Sequence, residues 1–189
     1  MVIDYLTTAV RVTRDLERIG PTLQALEARP DVWSQFRTDL GVWRTTIDRA
    51  IRRPPEVSLA AARALIEEGR SLARLPSDRT GRMHALLASR VLFDWLAAHG
   101  DDEPEAPEAY YELGVAELAI GRDYWHSKSG LHLERAIRLA PHTATAHAAF
   151  ARLEQEIIFG FTGSSGTHVP ADERARLDSL QTLATPTGP

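Results

Sequence analysis

The sequence predicts an all-α fold of antiparallel helical hairpins, stacked as a short α-solenoid with an N-terminal helical bundle or cap. Along most segments apolar residues recur every three or four positions, as on one face of a helix. No segment shows the sustained apolar and polar alternation, rich in β-branched residues, that a strand needs. We therefore expect eight or nine helices, with antiparallel neighbours joined by short turns.

Residues 1–53 are predicted to form an N-terminal helical segment. One apolar stripe runs from Val2 to Leu26, and we place a break or kink at Gly20-Pro21, because proline suits the first turn of a helix. A second stripe runs from Trp33 to Ile51, with Asp31 as the expected N-cap. The tryptophans at helical spacing, Trp33, Trp43 and Trp95, are predicted to lie in the core.

Pro54-Pro55 is the clearest boundary, and residues 56–185 are predicted to form a second, helical domain. Two consecutive prolines remove two backbone donors and bias the preceding residue away from helix. Helices are expected at Ser58 to Leu75 and at Arg79 to Ala98. The acidic stretch from His99 to Pro107 is interpreted as a solvated linker, since its spacing does not match a calcium loop.

The composition is 43% hydrophobic and 25% charged, as is ordinary for a chain that buries its own core. Arginine supplies 21 of the 22 basic residues, which is typical of a GC-rich genome. Residues 1–90 carry a net charge of +4 and residues 91–189 one of −8, an asymmetry that could orient a partner. The basic half lacks the dense stripe of a nucleic-acid-binding protein, so no nucleic-acid partner is expected.

No cysteine is present, which excludes disulfides, thiolate metal sites and cysteine nucleophiles. The first residues carry no basic leader, and no stretch approaches the roughly 20 apolar residues of a membrane span. We therefore expect a cytoplasmic protein without membrane association. Five of the seven histidines fall between His126 and His168, but none are spaced four apart as in a zinc-binding helix, so no metal site or cofactor is predicted.

The region 107–158 has a distinctive order of aromatic, small and proline residues. It contains in turn Tyr110, Leu113, Gly114, Gly121, Ser129, Leu133, Ala136, Ile137 and Pro141. With three extra residues in the turn around Trp125, this order resembles a tetratricopeptide repeat, a helical hairpin that stacks on copies of itself. His147, Phe150 and Ala151 match the first half of a second repeat, whose second helix is expected near Ala171 to Leu183.

The resemblance implies a concave groove lined by the first helix of each hairpin, where the family usually recognises peptides or protein segments. Tyr111, Val115 and Leu118 would line it from one hairpin, and Ala148 and Arg152 from the next. We thus predict a non-enzymatic scaffold or adaptor for a protein or peptide partner. The N-terminal stripes either cap the stack or provide an interface for self-association as a homo-oligomer.

The turn after Gly121 is the second candidate contact region. Its aromatic side chains either fill a gap between helices or project as a contact surface. The binding residues predicted here are Arg122, Tyr124, Trp125 and Lys128.

The Gly/Ser-rich segment 160–169 supports an alternative function, a small-molecule or hydrolytic site folded over the groove. Its backbone N–H groups could face an anion, and His168 could act as a base for Ser164 or Ser165. It lacks the ending of a P-loop and contains no Gly-x-Ser-x-Gly. We favour a connecting loop anchored to the core by Phe159 and Phe161, with His147 packed at the aromatic position of the second repeat.

Overall fold

The computed structural model describes residues 2–74, 78–121, 128–164 and 166–186, and it confirms the all-α class. The helices in these ranges are α1 Val2–Thr8, α2 Leu16–Glu27, α3 Ser34–Arg52, α4 Leu59–Leu72, α5 Arg82–His99, α6 Ala106–Ile120, α7 Ser129–Leu139, α8 Ala144–Gly160 and α9 Ala171–Ala184. A π-helical turn at Ala9–Thr13 follows α1, and two short strands, β1 Thr162–Gly163 and β2 Gly166–Thr167, lie between α8 and α9.

The chain folds into two compact units. Unit 1 comprises Met1–Trp95 with Ala119–Gly121, and unit 2 comprises Leu96–Leu118 with Arg122–Pro189. Pro54 and Pro55 lie inside unit 1, between α3 and α4. The division of the chain into domains 1–53 and 56–185 stays a prediction.

The core of unit 1 is formed by the apolar stripes that the sequence indicates. Its largest fully buried side chains include Leu6, Ile19, Leu23, Leu40, Trp43, Ile47, Met83, Leu86 and Leu87. Trp43 is 1% exposed. Its indole Nε1 donates to the carbonyl oxygens of Arg79 at 3.0 Å and Thr80 at 3.1 Å. The buried ring therefore has a partner for its only polar atom.

A break at Gly20-Pro21 is wrong, because α2 continues through both residues. The alternative, a kink at this point, stays a prediction. The interruption comes earlier, at Arg14, whose φ of 56° lies in the left-handed region. Asp15 then caps α2 by accepting a hydrogen bond from the backbone N–H of Arg18 at 3.3 Å. Pro21 is exposed, and the burial of Ile19 on this helix offsets the one backbone bond that the proline cannot make.

Two predictions for the start of α3 are also wrong. The helix begins at Ser34, and Asp31 forms an ion pair with Arg29 at 2.6 Å between Oδ2 and Nη2. Trp33 is 64% exposed, because it precedes the first helical turn and so does not share the buried stripe of α3. The predicted burial of Trp43 and Trp95 is confirmed.

Helices α4 and α5 approach each other through two glycines. The predicted start of α4 is confirmed, since Ser58 Oγ accepts a hydrogen bond from the backbone N–H of Ala61 at 3.2 Å. A Cβ atom at Gly81 would lie 2.1 Å from the carbonyl oxygen of Gly69, and one at Gly69 would lie 3.0 Å from Cβ of His84. Only glycine permits this contact, which brings the first turn of α5 against α4.

Unit 2 packs α7, α8 and α9 around Leu133, Ile137, Phe150, Leu153 and Leu180. Tyr110 and Tyr111 of α6 pack against this cluster. A Cβ atom at Gly114 would lie 2.7 Å from Cγ and Cδ2 of Leu133, so α6 crosses α7 closely at this glycine.

The turn between α7 and α8 is joined to the end of α9. His142 has a φ of 65°, and its backbone N–H donates to the carbonyl oxygen of Leu183 at 2.7 Å. Its ring Nδ1 lies 2.8 Å from the carbonyl oxygen of Thr185. Thr143 then caps α8, accepting from the N–H of Ala146 at 3.2 Å.

Candidate functional site

Most of the predicted groove residues on α6 and α8 are partly accessible. Tyr111 and Leu118 on α6, and Ala148 and Arg152 on α8, are half-buried. Val115 is only 7% exposed, so the chain itself already covers most of its side chain. A ligand on this surface would therefore reach the other four residues more readily than Val115.

Arg152 differs from three other arginines of unit 2. Arg135 pairs with Asp101, Arg138 with Glu134 at 2.7 Å, and Arg176 with both Glu134 and Glu173. No hydrogen bond or ion pair to the Arg152 guanidinium is found within the described ranges. Its charge is therefore free to meet a carboxylate from another molecule.

Tyr110, at the first aromatic position of the repeat pattern, has a structural role. Its hydroxyl donates to Asp101 Oδ1 at 2.7 Å, and its ring stacks on His132 with centroids 6.2 Å apart. Hydrogen bonds from Arg135 and Tyr110 lower the pKa of Asp101 below its ordinary value. These contacts fasten the start of α6 to α7.

The second candidate contact region is only partly described. Arg122, Tyr124 and Trp125 lie outside the described residues, and their role stays a prediction. Lys128 is exposed and directly precedes α7.

The segment 160–169, expected to be a connecting loop, contains a small antiparallel hairpin instead. Thr162 pairs with Thr167 and Gly163 with Gly166. The two threonine hydroxyls lie 2.8 Å apart, and the N–H of His168 donates to the carbonyl oxygen of Phe161 at 3.0 Å. Gly166 has a φ of 111°, a backbone conformation that residues with a side chain rarely adopt. The hairpin therefore requires glycine at this position.

Among its described residues, this hairpin brings His168 into hydrogen-bond contact with neither a serine nor a carboxylate. His168 and Ser164 are exposed, and among the described residues no hydrogen bond joins the His168 ring to a serine or a carboxylate. Ser165 lies outside the described residues. The predicted anchoring is also wrong, since Phe159 is 63% and Phe161 39% exposed.

Among the other histidines, His147 is exposed, so its predicted packing is wrong. Within the described ranges, no three His, Asp or Glu side chains are grouped so that they could hold a metal ion.

Unit 1 contains a polar site that sequence reasoning missed. A cleft of about 400 Å³, here called the α3–α4 cleft, lies beside helices α3 and α4, with His84 of α5 among its lining residues. Its polar lining comprises Thr38, Thr45, Thr46, Arg49, Glu68 and His84, and its apolar lining includes Val42 and Leu72. His84 is 2% exposed although it carries a titratable ring.

Three side chains surround Nε2 of His84. Arg49 Nη2 lies at 3.1 Å, while Thr46 Oγ1 and Glu68 Oε1 each lie at 3.5 Å. Arg49 in turn makes a bidentate pair with Glu68, at 2.7 and 2.9 Å. Because a guanidinium can only donate, the shorter contact, from Arg49 at 3.1 Å, favours the neutral tautomer with its proton on Nδ1, whereas the Glu68 carboxylate at 3.5 Å favours a proton on Nε2. Nδ1 is buried without a hydrogen-bond partner among the described residues.

The environment of His84 opposes its protonation. Burial lowers the pKa of the ring, and Arg49 lowers it further, while Glu68 acts in the opposite direction. The hydrogen bond from Arg49 lowers the pKa of Glu68, so that carboxylate stays ionised where His84 titrates. At neutral pH the cluster therefore consists of one cation, one anion and a neutral imidazole.

A second polar network lies beside this cluster. Asp39 of α3 is 3% exposed and accepts a hydrogen bond from Thr80 Oγ1 at 2.8 Å. The Thr80 hydroxyl also lies 2.5 Å from Asp78 Oδ1, and the N–H of Thr80 donates to Asp78 at 3.0 Å. These two contacts, the hydroxyl first, lower the pKa of Asp78 to about 2. The network fixes the residues that lead into α5, and with them the position of His84.

Comparison with known proteins adds no identity to these observations: no protein-family model matches the chain, and neither a curated protein nor a solved structure matches it. Within the described ranges, every helix is too short or too polar to cross a membrane.

Proposed function

We propose that unit 2 is a non-enzymatic scaffold that binds a protein or peptide segment along α6 and α8. The observation that carries this proposal is the guanidinium of Arg152, which is half-buried on α8 and has no partner among the described residues. Arg135, Arg138 and Arg176 are paired, and Arg174, which also has no partner among the described residues, is exposed. A carboxylate of the bound segment is the partner that the Arg152 guanidinium would take.

The packing of unit 2 supports a helical-repeat interpretation. The close crossing of α6 and α7 at Gly114 is the kind of contact that a stacked hairpin needs, and it occurs at the glycine that the repeat pattern contains. The next two helices, α8 and α9, continue the cluster around Leu133 and Leu153. The tetratricopeptide-like arrangement is part of the proposal.

The outer surface of α9 favours α6 and α8 as the binding surface. Among its exposed residues are Asp172, Arg174, Asp178, Ser179, Gln181 and Thr182. A polar face of this kind suits contact with solvent rather than with a further apolar helix. Tyr111, Leu118, Ala148 and Arg152 then form the surface left for a partner.

The cytoplasmic location expected from the sequence also stays a prediction.

Site-specific photocrosslinking tests the proposal. A photoreactive phenylalanine analogue replaces Tyr111 in one protein and Gln181 on the outer face of α9 in another. We expect cross-linked polypeptides from cell extract at position 111 and none of the same products at position 181. Equal products at both positions, or none at position 111, would reject α6 and α8 as the binding surface.

A charge reversal tests the role of Arg152. We expect Arg152→Glu to reduce capture of the cross-linked partner at least about tenfold, since it replaces an attraction by a repulsion. Arg174→Glu is the matched control, because Arg174 is exposed on α9 and its guanidinium has no partner within the described residues. Unchanged capture by Arg152→Glu would remove this residue from the interface.

A further inference from the structure

The α3–α4 cleft contains a polar cluster, the half-exposed Arg49 and Glu68 around the buried ring of His84, that the packing of unit 1 does not explain. His84 is 2% exposed, and its Nδ1 has no hydrogen-bond partner among the described residues. A buried polar atom without a partner costs stability, and an aliphatic residue would avoid that cost. Arg49, Glu68 and Thr46 all meet the other nitrogen, Nε2, on the side that lines the cleft.

Protonation of His84 would change the charge of this cluster. Both ring nitrogens of the protonated ring carry a hydrogen, so the N–H at Nε2 then faces the N–H of Arg49 at 3.1 Å. The N–H of Arg49 and the N–H of His84 would then face each other. The two cations, Arg49 and protonated His84, would share the single carboxylate of Glu68. Among the described residues, Arg49 of α3 and Glu68 of α4 are the charged groups that act on His84. The protonated cluster therefore has a net charge of +1.

We propose that the α3–α4 cleft binds a small oxoanion, that is a carboxylate, sulfate or phosphate group, beside Arg49 and His84 on the cleft side, and that binding takes up one proton from solvent at His84 Nε2. The anion accepts from the Arg49 guanidinium and from the new N–H of His84. It thereby removes the conflict between the two donors and neutralises the excess charge.

Other features of the cleft suit an oxoanion. The hydroxyls of Thr45 and Thr46 now donate to the carbonyl oxygens of Gly41 at 3.0 Å and Val42 at 2.8 Å. Both can rotate to donate to a bound oxygen instead. The volume of about 400 Å³ accommodates such a group with part of the molecule that carries it. The net charge of +4 on residues 1–90 attracts anions toward this part of the chain.

The test uses the full chain with isotope-labelled histidine and sulfate as the probe, since sulfate does not titrate in the range where His84 does. The His84 ring is followed by NMR from about pH 8 to about pH 5, with chloride holding the ionic strength constant. We expect the titration midpoint of His84 to rise by about one pH unit at saturating sulfate, and sulfate affinity to rise about tenfold over the same range. An unchanged midpoint would overturn the proposal.

Two variants separate this site from general anion binding by arginine. Arg49→Gln should abolish the sulfate-dependent change at His84, whereas Arg52→Gln, on the same helix but outside the cleft lining, should preserve it. An equal change in wild type and Arg49→Gln would place the anion elsewhere and refute the proposal. His84→Gln should make sulfate affinity independent of pH. If either cleft variant fails to fold, the wild-type titration decides alone.

Discussion

The two units differ in what they bury. In the described residues, five of the seven buried polar side chains lie in unit 1, namely Asp39, Thr46, Thr80, His84 and Ser89. Unit 2 buries Glu117 and Ser129, and its central cluster consists of alanine, aliphatic and aromatic side chains. Unit 1 therefore depends on polar contacts that require fixed partners and a fixed charge state, whereas unit 2 depends on close apolar packing.

The largest expected effect tests the glycine contacts of the two units. Gly81→Ala should destabilise unit 1 by about 3 kcal/mol, because the new Cβ would meet the backbone carbonyl of Gly69, which cannot move alone. Gly114→Ala should cost unit 2 only about 1 kcal/mol, because the Leu133 side chain can shift and alanine favours the helix. Urea denaturation measures both variants.

Gly160→Ala is the control for these substitutions, since a Cβ there has no neighbour within 4 Å. Its expected effect stays within about 0.5 kcal/mol. If Gly114→Ala were as costly as Gly81→Ala, the crossing in unit 2 would be as rigid as a contact between backbones.

The next effect is a pH dependence confined to unit 1. Because burial lowers the pKa of His84 below its ordinary 6.5, the unfolded chain takes up this proton before the folded chain does. The stability due to neutral His84 is fully present above about pH 6.5 and is lost as the pH falls through the lower pKa of the folded state. Urea midpoints at a series of pH values measure this loss.

His84→Gln should flatten this part of the stability profile. His147→Gln, at an exposed site in unit 2, should leave the profile of wild type unchanged. An identical acid-side slope in wild type and His84→Gln would mean that carboxylates alone determine the pH dependence.

A smaller effect is expected from the ion pairs of unit 2. Glu134 on α7 accepts from Arg176 of α9 and Arg138, and these contacts lower its pKa although burial acts to raise it. Glu134→Gln should destabilise the protein by about 1 kcal/mol, because the pairs are partly exposed. Glu154→Gln on α8 is the control and should change the unfolding free energy by less than about 0.5 kcal/mol. Equal losses would show that α7 and α9 gain nothing from this pairing.

The smallest effect concerns the proposed binding surface. Arg152→Glu should leave the free energy of unfolding within about 0.5 kcal/mol of wild type, since its guanidinium has no partner to lose among the described residues. Thermal denaturation followed by circular dichroism measures this. A large loss would assign Arg152 to the stability of unit 2 and weaken its proposed role in binding.

The sequence predicted local features better than contacts between distant residues. The all-α class, the start of α4 at Ser58 and the burial of Trp43 follow from periodicity and capping within one segment. Gly114 was recognised within the repeat pattern, and it forms the close crossing with Leu133. Each of these features can be predicted from a few residues that are close together in the sequence.

The predictions that were wrong have physical causes that lie outside such short segments. Pro21 stays inside α2 because its helix buries Ile19, and Trp33 is exposed because α3 begins one residue later. The exposed Phe159 and Phe161 directly precede a short hairpin of small and polar residues, which shows no apolar alternation by which a strand could be predicted. The cluster at His84 joins residues from three helices, so no spacing along the sequence could reveal it.

The left-handed turn at His142 gives unit 2 a single amide that reports on its last helix. The acceptor of this N–H, the Leu183 carbonyl, belongs to α9, so the amide is protected from solvent exchange only while that helix is docked. Its deuterium uptake would therefore measure how often the carboxyl-terminal helix detaches, without a label or a substitution.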